Sequence, residues 1–194
     1  MPLSNQQHKD NFLFERLQRD EQKGLELLFK KYHARLCRFA QGIVHTPEMA
    51  EDVVQDVFFT LWHKRHQLTI RTSLQSYLFR SVRNIALNHV NKKIRHQQHE
   101  AHFANDAIQT VQDTDQNVEL DDLRKKLHVA IQNLPQRCQQ VFTLSRFENM
   151  TYREIATTLE ISSKTVEHQM SKALATIRTA LKGFLVLLCY FFTI

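Results

Sequence analysis

The chain has 194 residues, of which only three are glycine and three are proline. This length fits one large domain or two small ones, and the scarcity of turn-forming residues favours an all-helical fold. Three widely separated cysteines, Cys37, Cys138 and Cys189, form no CxxC pair. They therefore indicate neither a disulfide framework nor a zinc knuckle, and they favour a reducing cytoplasm. The N-terminus lacks the apolar segment of a secretory signal.

The formal net charge of +6 suits a polyanionic partner, and the position of the charges is more informative than their sum. Residues 60–100 hold eight basic residues and one acidic residue, and residues 123–194 hold ten basic and four acidic residues. Between these blocks, residues 101–122 hold six acidic residues and no basic one. Because residues 96–119 are also polar and lack apolar periodicity, we expect them to form a flexible linker between two domains.

The first organised segment, residues 12–44, has apolar residues mostly at helical spacing, and Gly24 is expected to separate a short first helix from a longer second one. Thr46 and Pro47 then predict a helix start. From Ala50 this helix carries a complete apolar stripe, while another of its faces is acidic and polar: Glu48, Glu51, Asp52, Gln55 and Asp56. Such a face is either simply solvated or a docking surface for a basic partner.

The apolar periodicity lapses between His63 and Thr72, which predicts a basic loop containing Lys64, Arg65 and His66. Residues 73–94 resume a helix whose outer surfaces carry basic and amide side chains: Arg80, Arg83, Asn84, Asn88 and Lys92. With Trp62, Tyr77 and Phe79 nearby, this composition matches what opened DNA requires, namely phosphate neutralisation, amide hydrogen bonds and surfaces for base stacking. The alternative is that the aromatic side chains belong to the core and the basic ones are solvated.

Two groups of histidines have spacings that could bind a metal on a helix. The first comprises His96, His99 and His102, and the second comprises His63 and His66. Neither group is accompanied by a carboxylate or cysteine set, so we expect no metal site and no cofactor.

A second small helical domain is expected from about residue 120, and its last two helices carry capping signals. Thr151 and Glu154 have the spacing of a capping box, and Ser162 or Ser163 can cap the next helix. In that helix Val166, Met170, Ala173, Leu174 and Ile177 form a buried stripe. This pattern predicts a helix-turn-helix whose outer face suits a DNA major groove, with an ordinary solvated helical hairpin as the alternative. The face comprises Lys164, Thr165, Glu167, His168, Ser171 and Lys172.

The apolar tail, residues 183–194, is too short to cross a membrane as a helix. We expect it to pack against the second domain, and the alternative is that a partner protein covers it.

These segments together resemble an RNA polymerase sigma factor of the extracytoplasmic-function (ECF) group, which keeps only regions 2 and 4 of the sigma-70 class. AEDVVQDVFFTLW resembles region 2.2, SLQSYLFRSVRNIALNHVNKK resembles regions 2.3 to 2.4, and residues 134–178 resemble regions 4.1 to 4.2. The resemblance implies region 2 over residues 10–95, a linker over 96–119, region 4 over 120–182 and a tail over 183–194.

The resemblance also implies a role for each predicted face. Asp52, Gln55 and Asp56 would dock on core RNA polymerase. The −10 element would be recognised by Lys64, Arg65, His66, Arg80, Arg83, Asn84, Asn88 and Lys92. The major groove of the −35 element would be contacted by Lys164, Thr165, Glu167, His168, Ser171 and Lys172. Because many relatives carry Arg or Lys at the position of Glu167, this residue is expected to read a cytosine amino group or to orient a neighbour.

A cytoplasmic, non-enzymatic promoter-specificity subunit is therefore the leading interpretation. Its implied partners are core polymerase, promoter DNA and a membrane-bound anti-sigma factor, with no stable homo-oligomer. A stand-alone regulator of LuxR-like type is the alternative, since residues 134–180 fit it almost as well; a receiver domain would then be needed, and residues 1–95 show no alternating strands. A metal-dependent nuclease that uses the histidines is a more distant alternative.

Overall fold

The computed structural model describes residues 5–70, 72–100 and 120–191, with side chains over 7–70, 72–93, 95 and 126–181. These residues form helices and short connections, with no strand among them, which confirms the all-α prediction. The helices are α1 (Asn5–Gln18), α2 (Gln22–Val44), α3 (Pro47–His63), α4 (Leu74–Glu100), α5 (Leu120–Gln132), α6 (Gln136–Arg146), α7 (Tyr152–Leu159) and α8 (Ser163–Phe191). We call α1–α4 the N-terminal domain and α5–α8 the C-terminal domain.

Helix α2 is the centre of the N-terminal domain, because α1, α3 and α4 all pack against it. The predicted stripe of α3 is buried as expected from its periodicity, including Val53, Val57 and Leu61. Thr46 occupies the N-cap position of α3 and Pro47 is its first residue, although the Thr46 hydroxyl makes no capping hydrogen bond. Helix α3 is therefore held by its apolar face, which leaves its acidic face in solvent.

The prediction that Gly24 separates the first two helices is wrong. The break lies at residues 19–21, where Asp20 adopts a positive φ of 63°, a conformation that Asp tolerates better than most residues. Gly24 is inside the first turn of α2, where a Cβ atom would lie 2.7 Å from the backbone nitrogen of Leu17. The glycine is thus needed for the close approach of α1 to α2.

Helix α8 is the centre of the C-terminal domain and contacts α5, α6 and α7. Val166, Met170 and Ala173 are buried as predicted, whereas Leu174 is 37% exposed and does not belong to the buried stripe. The helix continues into the predicted tail and ends at Phe191. Among the helices as described, none is both long enough and apolar enough to span a membrane. Packing of the tail side chains lies outside the described residues.

The two domains contact each other through α2 with α6 and through α4 with α7. At the first contact, the Gln136 side chain donates a hydrogen bond to the Gly42 carbonyl at 3.4 Å. Helix α4 extends to Glu100, so residues 96–100 of the predicted linker are helical, and residues 101–119 lie outside the described residues. The arrangement brings the turn before α8 close to the basic surface of α4.

Candidate nucleic-acid interface

Local hydrogen bonds build the helix-turn-helix from its own sequence. The Thr151 hydroxyl accepts a hydrogen bond from the Glu154 amide at 3.3 Å, and the Thr151 amide donates to the Glu154 carboxylate at 2.9 Å. This reciprocal pair is the predicted capping box of α7. Helix α7 ends at Glu160, which has a positive φ of 54°, and the Ser162 hydroxyl then accepts from the Thr165 amide at 3.0 Å to start α8. Two caps and one left-handed residue therefore fix the angle between the helices.

The predicted DNA face of α8 is on the surface of the C-terminal domain. Thr165 is partly exposed, and its hydroxyl lies 2.8 Å from the Ser162 hydroxyl at the helix start. The remaining predicted residues are exposed: Lys164, Glu167, His168, Ser171 and Lys172. Buried Val166, Met170 and Ala173 hold the opposite side of the helix in the core. The result is a polar surface with two lysines, which can contact phosphates and base edges in a major groove.

A second polar stripe runs along α4. Arg80, Asn84, Asn88 and Lys92 recur at every fourth residue and are all exposed. Arg83 lies beside them and is partly buried; its guanidinium donates to the Asn84 side-chain oxygen at 3.4 Å. Because residues four apart are neighbours on a helix surface, the amides and cations form one continuous face.

The loop before α4 is held in place by one of its predicted DNA-binding residues. The Arg65 guanidinium lies over the Trp62 ring at 4.1 Å, donates to the Trp62 carbonyl at 2.6 Å and pairs with Asp20. His66 also contacts the Asp20 carboxylate, at 3.1 Å. Hydrogen bonding from Arg65 is the main cause that holds the pKa of Asp20 below its usual value. Lys64 points into solvent, so the three predicted loop residues occupy different environments.

The aromatic side chains near α4 differ in their availability to bases. Phe79 is fully buried and packs edge-on against Phe39 with ring centroids 5.2 Å apart, so the core alternative holds for Phe79 and it offers no stacking surface. Trp62 and Tyr77 are partly buried and retain some exposed surface. Helix α4 packs against several other helices, so a single apolar stripe in the sequence does not separate the buried aromatic side chain from the partly exposed ones.

The acidic face of α3 is a separate surface. Asp52, Gln55 and Asp56 are all exposed on the side opposite the buried valines. Phe59, which the sequence interpretation did not select, continues this face at the next helical position and is 64% exposed. The His63 ring lies against Phe59, with centroids 3.9 Å apart. The sequence did contain a signal for including Phe59 in this surface. Its position places it outside the apolar stripe of α3 and on the side of the carboxylates, where a large apolar side chain is expected to be exposed.

Two of the predicted −10 residues face an acidic partner in the other domain. Arg80 donates to the Glu160 carboxylate at 3.0 Å and 2.5 Å, and Arg83 lies 3.6 Å from the same group. Glu160 is not among the residues that the sequence analysis selected. Nothing local could have paired Arg80 with Glu160, because the two residues are 80 positions apart.

The described residues contain no group of three or more histidine, cysteine, aspartate or glutamate side chains arranged to hold a metal ion. His63 bonds the Phe59 carbonyl and His66 contacts Asp20, so both are engaged in local structure. The side chains of His96, His99 and His102 lie outside the described residues.

Comparison with protein-family models identifies both halves of the chain. Residues 28–96 match the model described as Sigma-70 region 2, and residues 124–177 match the model described as Sigma-70, region 4. The first match covers α3, the following loop and most of α4, and the second contains the helix-turn-helix.

Similar proteins match along nearly the whole chain. The RNA polymerase sigma-H factor of Pseudomonas aeruginosa is 26% identical over 187 residues, covering 92% of this chain and 97% of the relative. The ECF RNA polymerase sigma-E factor of Escherichia coli is 22% identical, with coverages of 87% and 92%.

Solved structures share the fold. CnrH in complex with the cytosolic domain of CnrY aligns with a TM-score of 0.59 at 20% identity, covering 90% of this chain and 97% of CnrH. The sigma factor RpoE in complex with the anti-sigma factor NepR from Bartonella quintana aligns with a TM-score of 0.62 at 21% identity, with coverages of 84% and 97%.

Proposed function

Because this chain belongs to the ECF group of the sigma-70 family of RNA polymerase sigma factors, we propose that it confers promoter specificity on core RNA polymerase. In this role it recognises −35 and −10 promoter elements and assists DNA opening, and it performs no chemistry itself. One observation carries the proposal: a single chain contains both matched regions in order, and each presents an exposed face of cations and hydrogen-bonding side chains, on α4 and on α8.

We assign −35 recognition to the outer face of α8. Lys164 and Lys172 are exposed cations suited to phosphate contacts, while Glu167, His168 and Ser171 between them can reach base edges. Thr165 lies on the same face and also takes part in the hydrogen bonds that cap the start of α8. Glu167 can accept a hydrogen bond from a cytosine amino group or orient a neighbouring side chain, and either role differs from phosphate binding.

We assign −10 recognition and opening to α4 and the preceding loop. Asn84 and Asn88 are exposed amides that can hydrogen-bond splayed bases, and Arg80, Arg83 and Lys92 can neutralise the backbone beside them. Lys64 extends this basic surface into the loop. Arg65 and His66 are engaged with Asp20, so their contribution is to shape the loop that would hold a flipped base.

We assign docking on core polymerase to the acidic face of α3. Asp52, Gln55, Asp56 and Phe59 lie on one side of the helix and are exposed. Three polar or acidic groups give charge complementarity to a basic partner, and the phenylalanine offers apolar area that becomes buried on binding. The docking surface is thus separate from both DNA-binding faces.

We further propose that an anti-sigma factor holds this protein when its promoters are silent. The support is by similarity: RpoE, which shares this fold, was solved in complex with the anti-sigma factor NepR. The proposed role also implies a cytoplasmic site of action, where core polymerase meets chromosomal DNA. The LuxR-like alternative is not supported, since residues 28–96 match sigma region 2 rather than a receiver domain.

The direct test is transcription with purified components. The protein is mixed with sigma-free core polymerase and fragmented genomic DNA of its own organism, and the 5′ ends of the transcripts are sequenced. We expect discrete start sites that share two upstream motifs, and none with core polymerase alone. Sequence-specific DNA binding by the protein without initiation would contradict the assignment and favour a stand-alone regulator.

A further inference from the structure

The turn of the helix-turn-helix contributes a carboxylate to the basic face of α4. Glu160 ends α7, and its side chain receives hydrogen bonds from Arg80 at 3.0 Å and 2.5 Å. Arg83 adds a longer contact of 3.6 Å to the second carboxylate oxygen. One carboxylate therefore engages two arginines that belong to the other domain.

Carboxylates and phosphates compete for the same donors on a guanidinium. A carboxylate is a planar oxyanion and a phosphate is a tetrahedral one, and both accept charge-assisted hydrogen bonds from the N–H groups of the arginine guanidinium. While Glu160 receives the donors of Arg80, a DNA phosphate cannot take them in the same geometry. A phosphate can therefore take the Nε–Nη2 side of the Arg80 guanidinium only after Glu160 has left it.

A second, buried ion pair holds the domains in the position that makes this contact possible. Glu148, which lies between α6 and α7, has a side chain that is only 4% exposed and pairs with Arg35 of α2, with one contact of 2.9 Å. Gln75 at the start of α4 donates to the Glu148 carbonyl at 2.9 Å and to its carboxylate at 3.2 Å. These bonds join α2 and α4 to the loop that precedes the helix-turn-helix. Because all these groups belong to one chain, they meet at a high effective concentration.

We propose that Glu160 is an intramolecular competitor of promoter DNA, which masks Arg80 and Arg83 while the two domains are packed together. The inference rests on the proposed role of α4 in −10 binding and adds a regulatory function to the turn of the helix-turn-helix. Separation of α7 from α4 exposes both arginines at once. The free protein accordingly has a weaker −10 face than its arginine content suggests.

The test measures binding of the full chain to a short fluorescein-labelled single-stranded DNA of mixed sequence, by fluorescence anisotropy at low ionic strength. Glu160→Gln removes the charge but keeps the size of the side chain and its backbone conformation. Glu26→Gln is the matched control, because Glu26 is equally exposed and its ion pairs within the described part of the chain are with Lys23 and Lys30 of its own helix. Both variants change the net charge by the same amount, and circular dichroism verifies that both are folded.

We expect Glu160→Gln to bind the DNA about two- to fivefold more tightly than Glu26→Gln, the size expected for exposed ion pairs. The gain should disappear when Arg80→Gln and Arg83→Gln are added, and it should shrink as salt screens the contact. Equal affinities of the two single variants overturn the inference if the arginine substitutions still weaken binding. If the arginine substitutions change nothing in the Glu160→Gln background, the proposed −10 face itself is wrong.

Discussion

Replacement of Gly24 by alanine is expected to destabilise the N-terminal domain. The added Cβ atom would lie 2.7 Å from the Leu17 nitrogen, 3.0 Å from the Leu13 oxygen and 3.2 Å from the Arg16 carbonyl carbon. All three are backbone atoms of α1, so no rotamer change relieves the clash and the helix itself must move. Overpacking of this kind costs about 1–3 kcal/mol, while alanine regains up to ~1 kcal/mol of helix propensity. With the full gain in helix propensity, we therefore expect a net loss of up to about 2 kcal/mol in the free energy of unfolding.

The same helix supplies a control for this prediction. A Cβ atom at Gly42 would meet only the end of the Gln139 side chain, at 3.4 Å, which can move aside. Gly42→Ala should therefore be neutral or stabilising by up to ~1 kcal/mol. Trp62, the single tryptophan of the chain, lies in α3 and makes fluorescence a probe of this domain during urea unfolding. If Gly24→Ala is as stable as Gly42→Ala, the close contact of α1 with α2 is incorrect.

Three further predictions address the proposed surfaces and the local structure. Combined Asp52→Ala and Asp56→Ala should weaken binding to core polymerase and leave the thermal unfolding curve unchanged, because both side chains are exposed. Glu26→Gln, which removes an exposed carboxylate outside the proposed docking surface, is the control, and equal core affinities of the two variants would refute the docking assignment. Lys172→Ala should lower the salt slope of −35 DNA binding by about 1, as the loss of one phosphate contact requires, and an unaltered slope removes it from that role. Thr151→Ala should cost about 1 kcal/mol of stability by removing the capping box, measured by chemical unfolding; no loss would mean that the cap is not formed in solution.

The sequence predicted those parts of the fold that depend on short-range periodicity and capping. Thr151 with Glu154, Ser162 and Pro47 marked helix starts that the structure confirms. The stripe of α3 was also correct, because a run of several turns on one face leaves little choice of orientation. The exposed state of the predicted polar faces followed from the same periodicity.

The predictions that were wrong depended on how helices approach each other. Gly24 was taken as a chain break, whereas the break is made by Asp20 and the glycine serves a close helix contact. For Phe79 the sequence left open a stacking surface or a core position, and packing against Phe39 of α2 makes it a core residue. Likewise, the pairing of Arg65 with Asp20 joins residues 45 positions apart. Such contacts are set by tertiary packing, which local sequence patterns do not encode.

Residue 160 contributes two independent properties to the turn, namely its left-handed backbone conformation and the charge of its side chain. A positive φ costs a residue with a Cβ atom about 1–2 kcal/mol, and glycine avoids this cost. Glycine and glutamate codons differ by a single nucleotide, so one mutation can remove the carboxylate and relieve the backbone at the same time. Mutation of this residue can therefore remove the masking contact during evolution without loss of the helix-turn-helix. Related proteins can be compared by whether the position of residue 160 holds an acidic residue or glycine.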